Sequence, residues 1–483
     1  MKLILINCKE EYAVREIINA YLPKQKIYIQ HSLVYTPLLS ENTTIVQTFF
    51  KNNEYTYICH LFLNGEYEKF IYTSNTYNKT HIKRVVSHCY NKLTNIYLSW
   101  GLLTGIRPSK NVRELYDSGM DYDAVKKHFM SFYMADESKT DLSIEVAKTQ
   151  RDIINSIKND SVSIYIGIPF CPTRCLYCSF TSQSIKFSNK LTEPYMDALI
   201  KEIEFTGKIL KEKNKIIDTI YIGGGTPTAL NGSQLKRLML AIDSNFDLSD
   251  LREYTVEAGR PDTITKEKLD ILKNHNVSRI SINPQTMHQK TLDLIGRCHT
   301  PEDIEITYKM ARDAGFDHIN MDLIAGLPDE TCEDFLYTLG KIEKMLPDSI
   351  TVHTMSIKHG SFLDKNYSTY TKTSQETVNR MLEDASALMK KLGKKPYYLY
   401  RQKNMLGNLE NVGYADKNSH CLYNIYIMEE VQSIIALGAG ASTKIITDKS
   451  IERAFNVKEV IEYIKRIDEM LERKVLLFKE TGF

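Results

Sequence analysis

Between residues 161 and 354 the chain presents six short apolar runs, "SVSIYIGI", "DTIYIG", "EYTVEA", "VSRISIN", "DHINMDLI" and "DSITVHT", each separated from the next by sequence of helical period. Alternating strands and helices predict a parallel sheet, because each helix carries the chain back to the end where the previous strand began. Both a doubly wound sheet and a barrel can be built this way. The ends of the runs help to decide. The cysteines after Ile168, "GGGTP" after Ile222, then Glu257, Gln285, Asp322 and His353 put polar or glycine-rich groups at the carboxyl end of strand after strand. Delivery to one rim is simplest as a barrel mouth. Six units instead of eight predict an α/β fold of the partial (β/α)6 TIM type, open on one side. The helices carry local signals too: in "HTPEDIEITYKMARDAGF", Thr300 is placed to cap the N-terminus, Pro301 to start the helix and Gly315 to end it.

A chain of 483 residues exceeds one core, and 42% apolar residues suffice for several. Residues 1–78, with one amphipathic helix and β-branched runs such as "TTIVQTFF" and "YTYICHLFL", predict a small α/β domain. Residues 79–158 read as a helical connector, 159–360 as the barrel, and 361–483 as a mixed C-terminal domain that covers the mouth. The 62 basic and 60 acidic residues leave a net charge of +2. That balance argues against nucleic acid as the main partner. No apolar stretch reaches the roughly 18 residues of a membrane span, the first residues lack a secretory pattern, and nine irregularly spaced cysteines do not form a secreted disulfide framework. The expectation is a cytoplasmic protein with reduced thiols.

Cys171, Cys175 and Cys178 fall in "GIPFCPTRCLYCSF" with the spacing C-x3-C-x2-C, on a loop that leaves a strand through Pro169 and Pro172. Adventitious thiols are a weak reading at this density, and structural zinc calls for four ligands. A four-iron cluster held by three thiolates leaves one iron without a protein ligand. Cys8, Cys59, Cys89, Cys298, Cys332 and Cys421 stand singly and read as packed small side chains.

"CPTRCLYC" resembles the signature of the radical S-adenosylmethionine (SAM) superfamily, and the resemblance implies that SAM chelates the open iron. The neighbouring "YIGIPFCPTRCLYCSF", "YIGGGTPT", "GRPDT", "IGRCHT" and "NMDLIAGLP" resemble the oxygen-independent coproporphyrinogen III oxidase family. The flanks "LSWGLLTGIRPSK" and "YRQKNMLGNLENVGYA" are similar to its longer HemZ branch. The resemblance implies cluster ligation by Cys171, Cys175 and Cys178. It further implies SAM contacts from Gly223, Gly224, Gly225, Thr226, Glu257, Gln285, Arg297 and Asp322, a catalytic role for Tyr165, and cluster shielding or adenine packing by Tyr165 and Tyr177. A tight turn for the glycines, rim salt bridges for Glu257 and Arg297, a helix cap for Asp322 and core packing for the tyrosines are the plainer alternatives. The family's best-known members carry histidine where this chain has Gly167, so that histidine's role does not transfer.

By resemblance, a reduced 4Fe–4S cluster passes an electron to SAM, and the resulting 5′-deoxyadenosyl radical abstracts hydrogen from a substrate propionate. Loss of carbon dioxide, with one electron passing to an electron acceptor, leaves a vinyl group, and two such steps convert coproporphyrinogen III to protoporphyrinogen IX, with one SAM or two. Implied partners are the tetrapyrrole and an electron donor such as flavodoxin or ferredoxin, without stable membrane insertion. Arg107, Arg174, Lys358, Arg401 and Lys403 are candidates to meet propionates, though each suits ordinary solvation. A haem-binding chaperone, or an enzyme methylating or opening the haem ring, fits the same scaffold.

Overall fold

Two asparagine-bearing turns set the first sheet. Asn52 and Asn53 both take positive φ (52° and 62°), as do Asn64 and Gly65 (52° and 86°). Two-residue turns of this kind match the twist of hairpin strands and favour Asn and Gly. They join β3 (Thr43–Lys51), β4 (Glu54–Leu63) and β5 (Glu66–Ser74) into an antiparallel meander, while β1 (Lys2–Ile6) pairs in parallel with both β2 (Tyr28–Ser32) and β3. The order is β2-β1-β3-β4-β5. Helices Glu11–Tyr21 and Lys79–Thr94 bury Val14, Ile17, Ile82 and Val86 against Leu3, Leu5, Tyr57, Cys59 and Leu61.

This computed structural model describes residues 1–23, 25–32, 42–105, 107–178, 183–356, 361–365, 373–402, 405 and 408–483. By internal contacts the chain forms two compact units. One is Met1–Glu145 with Arg401–Glu410, and the other Val146–Tyr400 with Asn411–Phe483. Within the first, the buried Glu410 carboxylate accepts from Trp100 Nε1 at 2.7 Å and Lys139 Nζ at 2.6 Å. Arg401 lies over the Trp100 ring and donates to the carbonyls of Leu103 and Asn408. A buried carboxylate and a buried guanidinium are each met by partners, as desolvation requires.

The second unit holds an eleven-stranded sheet. Its strands are β6 (Ser161–Ile168), β9 (Ile216–Gly224), β10 (Glu253–Gly259), β11 (Arg279–Ile282), β12 (His318–Ala325), β13 (Ser349–Thr354), β14 (Lys395–Tyr400), β15 (Asn411–Ala415), β16 (Ser433–Leu437), β17 (Ser442–Ile446) and β18 (Ile451–Phe455). The two-residue strands β7 (Phe170–Cys171) and β8 (Gln183–Ser184) pair separately. The six expected strands lie side by side in chain order, β6-β9-β10-β11-β12-β13, all parallel. A doubly wound sheet reverses its order at a switch point; this one never does, as a partial barrel requires. It does not close, because β6 pairs on its far side with β16 and β13 with β15. The chain after residue 361 therefore extends both edges.

Side chains alternate across these strands with period two. Ile164, Ile166, Ile168, Ile220, Ile222, Tyr254, Val256, Ile280, Met321, Leu323, Ile350 and Val352 are buried on one face. The Tyr254 hydroxyl meets Met239 of helix Gly232–Asn245 on that side. The opposite face carries Ser163, Tyr165 and Gly167, in register with Thr219, Tyr221 and Gly223, followed by Glu257, Asn320, Asp322, Thr351 and His353. Helix Pro301–Asp313 begins as expected, with Thr300 and Asp303 forming a capping box; Gly315, at φ +86°, follows its C-cap Ala314.

Candidate functional site at the strand ends

The loop that leaves β6 is held by backbone hydrogen bonds on both flanks. Gly225 N donates to Ile168 O and Thr226 N to Phe170 O, both at 2.8 Å, while Leu176 N donates to Ile295 O at 3.0 Å. Thr173 Oγ1 donates to Gly296 O at 2.8 Å and accepts from Arg260 Nη1 at 2.7 Å. Arg260, itself fixed by a two-pronged pair with Asp262, is a positioning residue that sequence reasoning missed, although its "GRPDT" motif was visible. Cys171, Cys175 and Cys178 all lie half-buried on this one loop. Among the described residues no group of three or more His, Cys, Asp or Glu is placed to hold a single metal ion.

The glycine run packs directly on the loop. A Cβ at Gly225 would fall 2.6 Å from Phe170 O and 3.0 Å from Cys171 Sγ, and one at Gly223 would fall 2.9 Å from the Glu257 carboxyl carbon. Thr226 Oγ1 faces Cys171 Sγ at 3.6 Å. These contacts leave no room for side chains, which accounts for the glycines at both positions.

Around the loop lie the remaining expected residues. Arg297 donates to the Tyr177 hydroxyl at 3.4 Å, to Asn283 O, and to Cys175. Burial raises the Tyr177 hydroxyl far above its ordinary range. Gln285 takes φ +68°, unusual for a side chain with a Cβ. Its backbone is pinned, donating to Asp322 O at 2.9 Å and accepting from Ile324 N at 3.1 Å. Three buried polar atoms here have no partner: Gln285 Oε1, Asn283 Oδ1 and Arg297 Nε. Such atoms are costly unless something meets them.

The two expected carboxylates differ. Burial, with a contribution from the Asp322 charge, pushes Glu257 up to about 7 against hydrogen bonds from Tyr221 and Gly224. Burial acts on Asp322 in the same sense, but His353, Asn320 and Thr351 outweigh it and hold that carboxyl below its usual range. Asn320 Nδ2 lies 2.7 Å from Asp322 Oδ1, and His353 Nε2 3.6 Å from Oδ2. His353 was seen as a strand-end residue only; its partner Tyr400, at 3.3 Å from Nδ1, was not. Tyr165 stacks with Tyr221 and Tyr423 at centroid distances of 6.3 and 6.1 Å, and the Tyr221 hydroxyl donates to Glu257 at 2.5 Å. Tyr221 had a signal in the sequence: "IYIG" occurs twice, at 164–167 and 220–223.

Among the candidate cations, Arg174 is exposed on the cysteine loop, whereas Arg401 is buried within the first unit on backbone carbonyls. Arg107 is the N-cap residue of helix Pro108–Asp117. Lys358 and Lys403 lie outside the described residues. Of the six scattered cysteines, five are buried as expected, but Cys298 is exposed, because it sits at the surface of the turn between Arg297 and the capping Thr300.

Residues 165–342 match the radical SAM superfamily. The chain shares its fold with the coproporphyrinogen III oxidase HemN of Escherichia coli at a TM-score of 0.54 and 24% identity, covering 67% of this chain and 73% of HemN. It is 42% identical over 403 residues to the oxygen-independent coproporphyrinogen-III oxidase-like protein HemZ of Bacillus subtilis, which spans 82% of this chain and 80% of HemZ. The chain belongs to the radical SAM family of HemN- and HemZ-like proteins. Members also include the heme chaperone HemW of Bacillus subtilis, 37% identical over 41% of this chain and 51% of HemW. The oxygen-independent coproporphyrinogen III oxidase of Salmonella typhimurium is 33% identical over 40% of this chain and 41% of that enzyme.

Radical SAM proteins bind a 4Fe–4S cluster and SAM, and the residues of this family member fit that pair. Three thiols on one loop offer soft ligands, a glycine cradle lies against the first of them, and the unpartnered Gln285 and Asn283 amide oxygens and Arg297 Nε–H offer hydrogen-bond acceptors and a donor to a polar ligand. No helix among the described residues is long and apolar enough to cross a membrane.

Proposed function

We propose that this protein is a radical SAM oxidoreductase of tetrapyrrole metabolism that converts propionates of coproporphyrinogen III to vinyl groups without oxygen, giving protoporphyrinogen IX. The observation that carries this reading is the 42% identity to HemZ, which runs through 82% of the chain and so well beyond the cluster-binding region. Cys171, Cys175 and Cys178 would hold the cluster. Gly223, Gly224, Gly225, Thr226, Glu257, Gln285, Arg297 and Asp322, with Tyr165 and Tyr177, would line the SAM site. Bound there, the cluster and SAM supply hydrogen-abstracting radical chemistry.

The chain's own residues then divide the work. Arg297 brings a fork of donors suited to a carboxylate, with Nε still unengaged. Asp322, kept ionised by His353, can accept from hydroxyls, whereas Glu257 near pH 7 can hold a proton on the same face. The stacked Tyr165, Tyr221 and Tyr423 shield this face. A small reducing protein, a flavodoxin or ferredoxin, is the proposed electron donor, acting in the cytoplasm.

The test is anaerobic reconstitution with iron and sulfide, then incubation with SAM, dithionite and coproporphyrinogen III, with products resolved by mass. Loss of carbon dioxide at two propionates is the expected result. Stoichiometric haem binding without any vinyl product would replace this reading with that of a haem carrier.

A further inference from the structure

The carbonyl end of β6 is gripped from the side by Tyr195, which lies within the region matching the radical SAM superfamily and is tied to residues of the C-terminal stretch beyond it. Tyr195, on helix Ile185–Glu212, donates its hydroxyl to Gly167 O at 2.6 Å and accepts from Ala439 N at 3.2 Å. Two helical turns further on the same helix, Glu202 receives four donors. Gly438 N (2.8 Å) and Tyr463 OH (2.5 Å) reach Oε2, while Asn456 Nδ2 (2.8 Å) and Lys474 Nζ (2.5 Å) reach Oε1. Lys474 belongs to the last helix, Ile467–Thr481, and the Glu202–Lys474 pair is fully buried. The loop between β16 and β17 closes over Gly167. Gly438 takes φ +97°, and a Cβ there would fall 2.5 Å from Gly167 O and 2.6 Å from the Tyr195 hydroxyl.

A buried ion pair is weak ground for stability, since apolar residues of similar volume hold a fold as well. What this one fixes is direction. Each Glu202 oxygen is saturated by donors from separate elements, and the outcome is one placement of Gly438 against the strand that runs into Cys171. We propose that Tyr195 and the Glu202–Lys474 pair are positioning residues that set the Gly438 loop and the Gly167 carbonyl as one wall of the SAM site. This rests on the reading that the β6 loop carries the cluster and SAM.

Tyr195→Phe removes one hydroxyl and keeps the ring that packs edge-on against Phe170. In the reconstituted full-length protein it should retain wild-type iron and sulfide content. Its SAM affinity, read from the change in the reduced cluster's electron paramagnetic resonance spectrum during SAM titration, should fall about tenfold. The double variant E202Q/K474M, which leaves no lone buried charge, should show the same loss; if it fails to fold, Tyr195→Phe decides alone. Unchanged SAM affinity in Tyr195→Phe overturns the proposal, as does loss of its cluster, which would make the tyrosine a support for the cysteine loop instead. A wild-type protein that takes up no cluster or no SAM would instead sink the functional reading above.

Discussion

At the scale of the residue, two neighbouring glycine positions make opposite predictions. Gly225→Ala drives a Cβ into Phe170 O and Cys171 Sγ, so the reconstituted variant should lose most of the broad visible absorption of the cluster. Gly167→Ala meets nothing closer than Tyr165 Cε1 at 3.4 Å and should keep it. Cys175→Ser should abolish both the absorption and SAM cleavage; retention of both would remove it from the ligand set. The carboxyl of Glu257 predicts a pH effect on stability. Its value of about 7 in the fold lies above the ordinary 4.5, so the folded state binds more protons between those limits. This stabilising contribution is lost as pH rises through that window. His299 and His420 act oppositely. Burial, helped by Arg297 beside one and Arg279 beside the other, depresses each to about 4, so their contribution is lost as pH falls from about 6.5 toward 4. Thermal melts of Glu257→Gln between pH 4.5 and 7 should therefore show stability rising with pH more steeply than in wild type. The cysteines were legible in the sequence because their spacing is local. Tyr423 and Tyr400 were not, because their partners Tyr165 and His353 lie far away in the chain and meet them only after the sheet has formed.

At the scale of the element, the six strand and helix units were legible because period and capping are written locally. Thr300→Ala removes the side chain that accepts from Asp303 N at 3.1 Å and should cost about 1 kcal/mol in denaturant unfolding. What hydropathy hid was the division of faces. "SIYIGI" reads as an apolar run, yet Ile164, Ile166 and Ile168 are fully buried on one side while Tyr165 and Gly167 face Tyr221 and Gly223 on the other. A tyrosine counts as apolar in any window, so the alternation that marks the functional face is flattened. The edge strands were illegible for another reason. Nothing within "SIIAL" states that β16 pairs in parallel with β6, because pairing partners across a long loop depend on which edge is vacant when the strand arrives.

At the scale of the molecule, composition suggests four segments, whereas internal contacts form two units, with Arg401–Glu410 belonging to the N-terminal one. The four-part division is a proposal that limited proteolysis tests: cuts confined near residues 78, 158 and 360 would support it, and a fragment pattern dominated by cuts near 145, 401 and 410 would favour the two units as folding domains. The likeness to HemN establishes the scaffold and the likeness to HemZ the family; neither selects a carrier or a catalyst, and product analysis does. The pairing of β6 with β16 has a consequence for biosynthesis. Synthesis runs at roughly 5–20 residues per second, so the edge of β6 emerges from the ribosome tens of seconds, on the order of 13–50 s, before Ser433–Leu437 exists to cover it. Throughout that interval the strand leading into Cys171 is open on that side, and Lys474 has not yet been made. Pulse-labelled iron should accordingly enter completed chains and be absent from nascent chains stalled before residue 433.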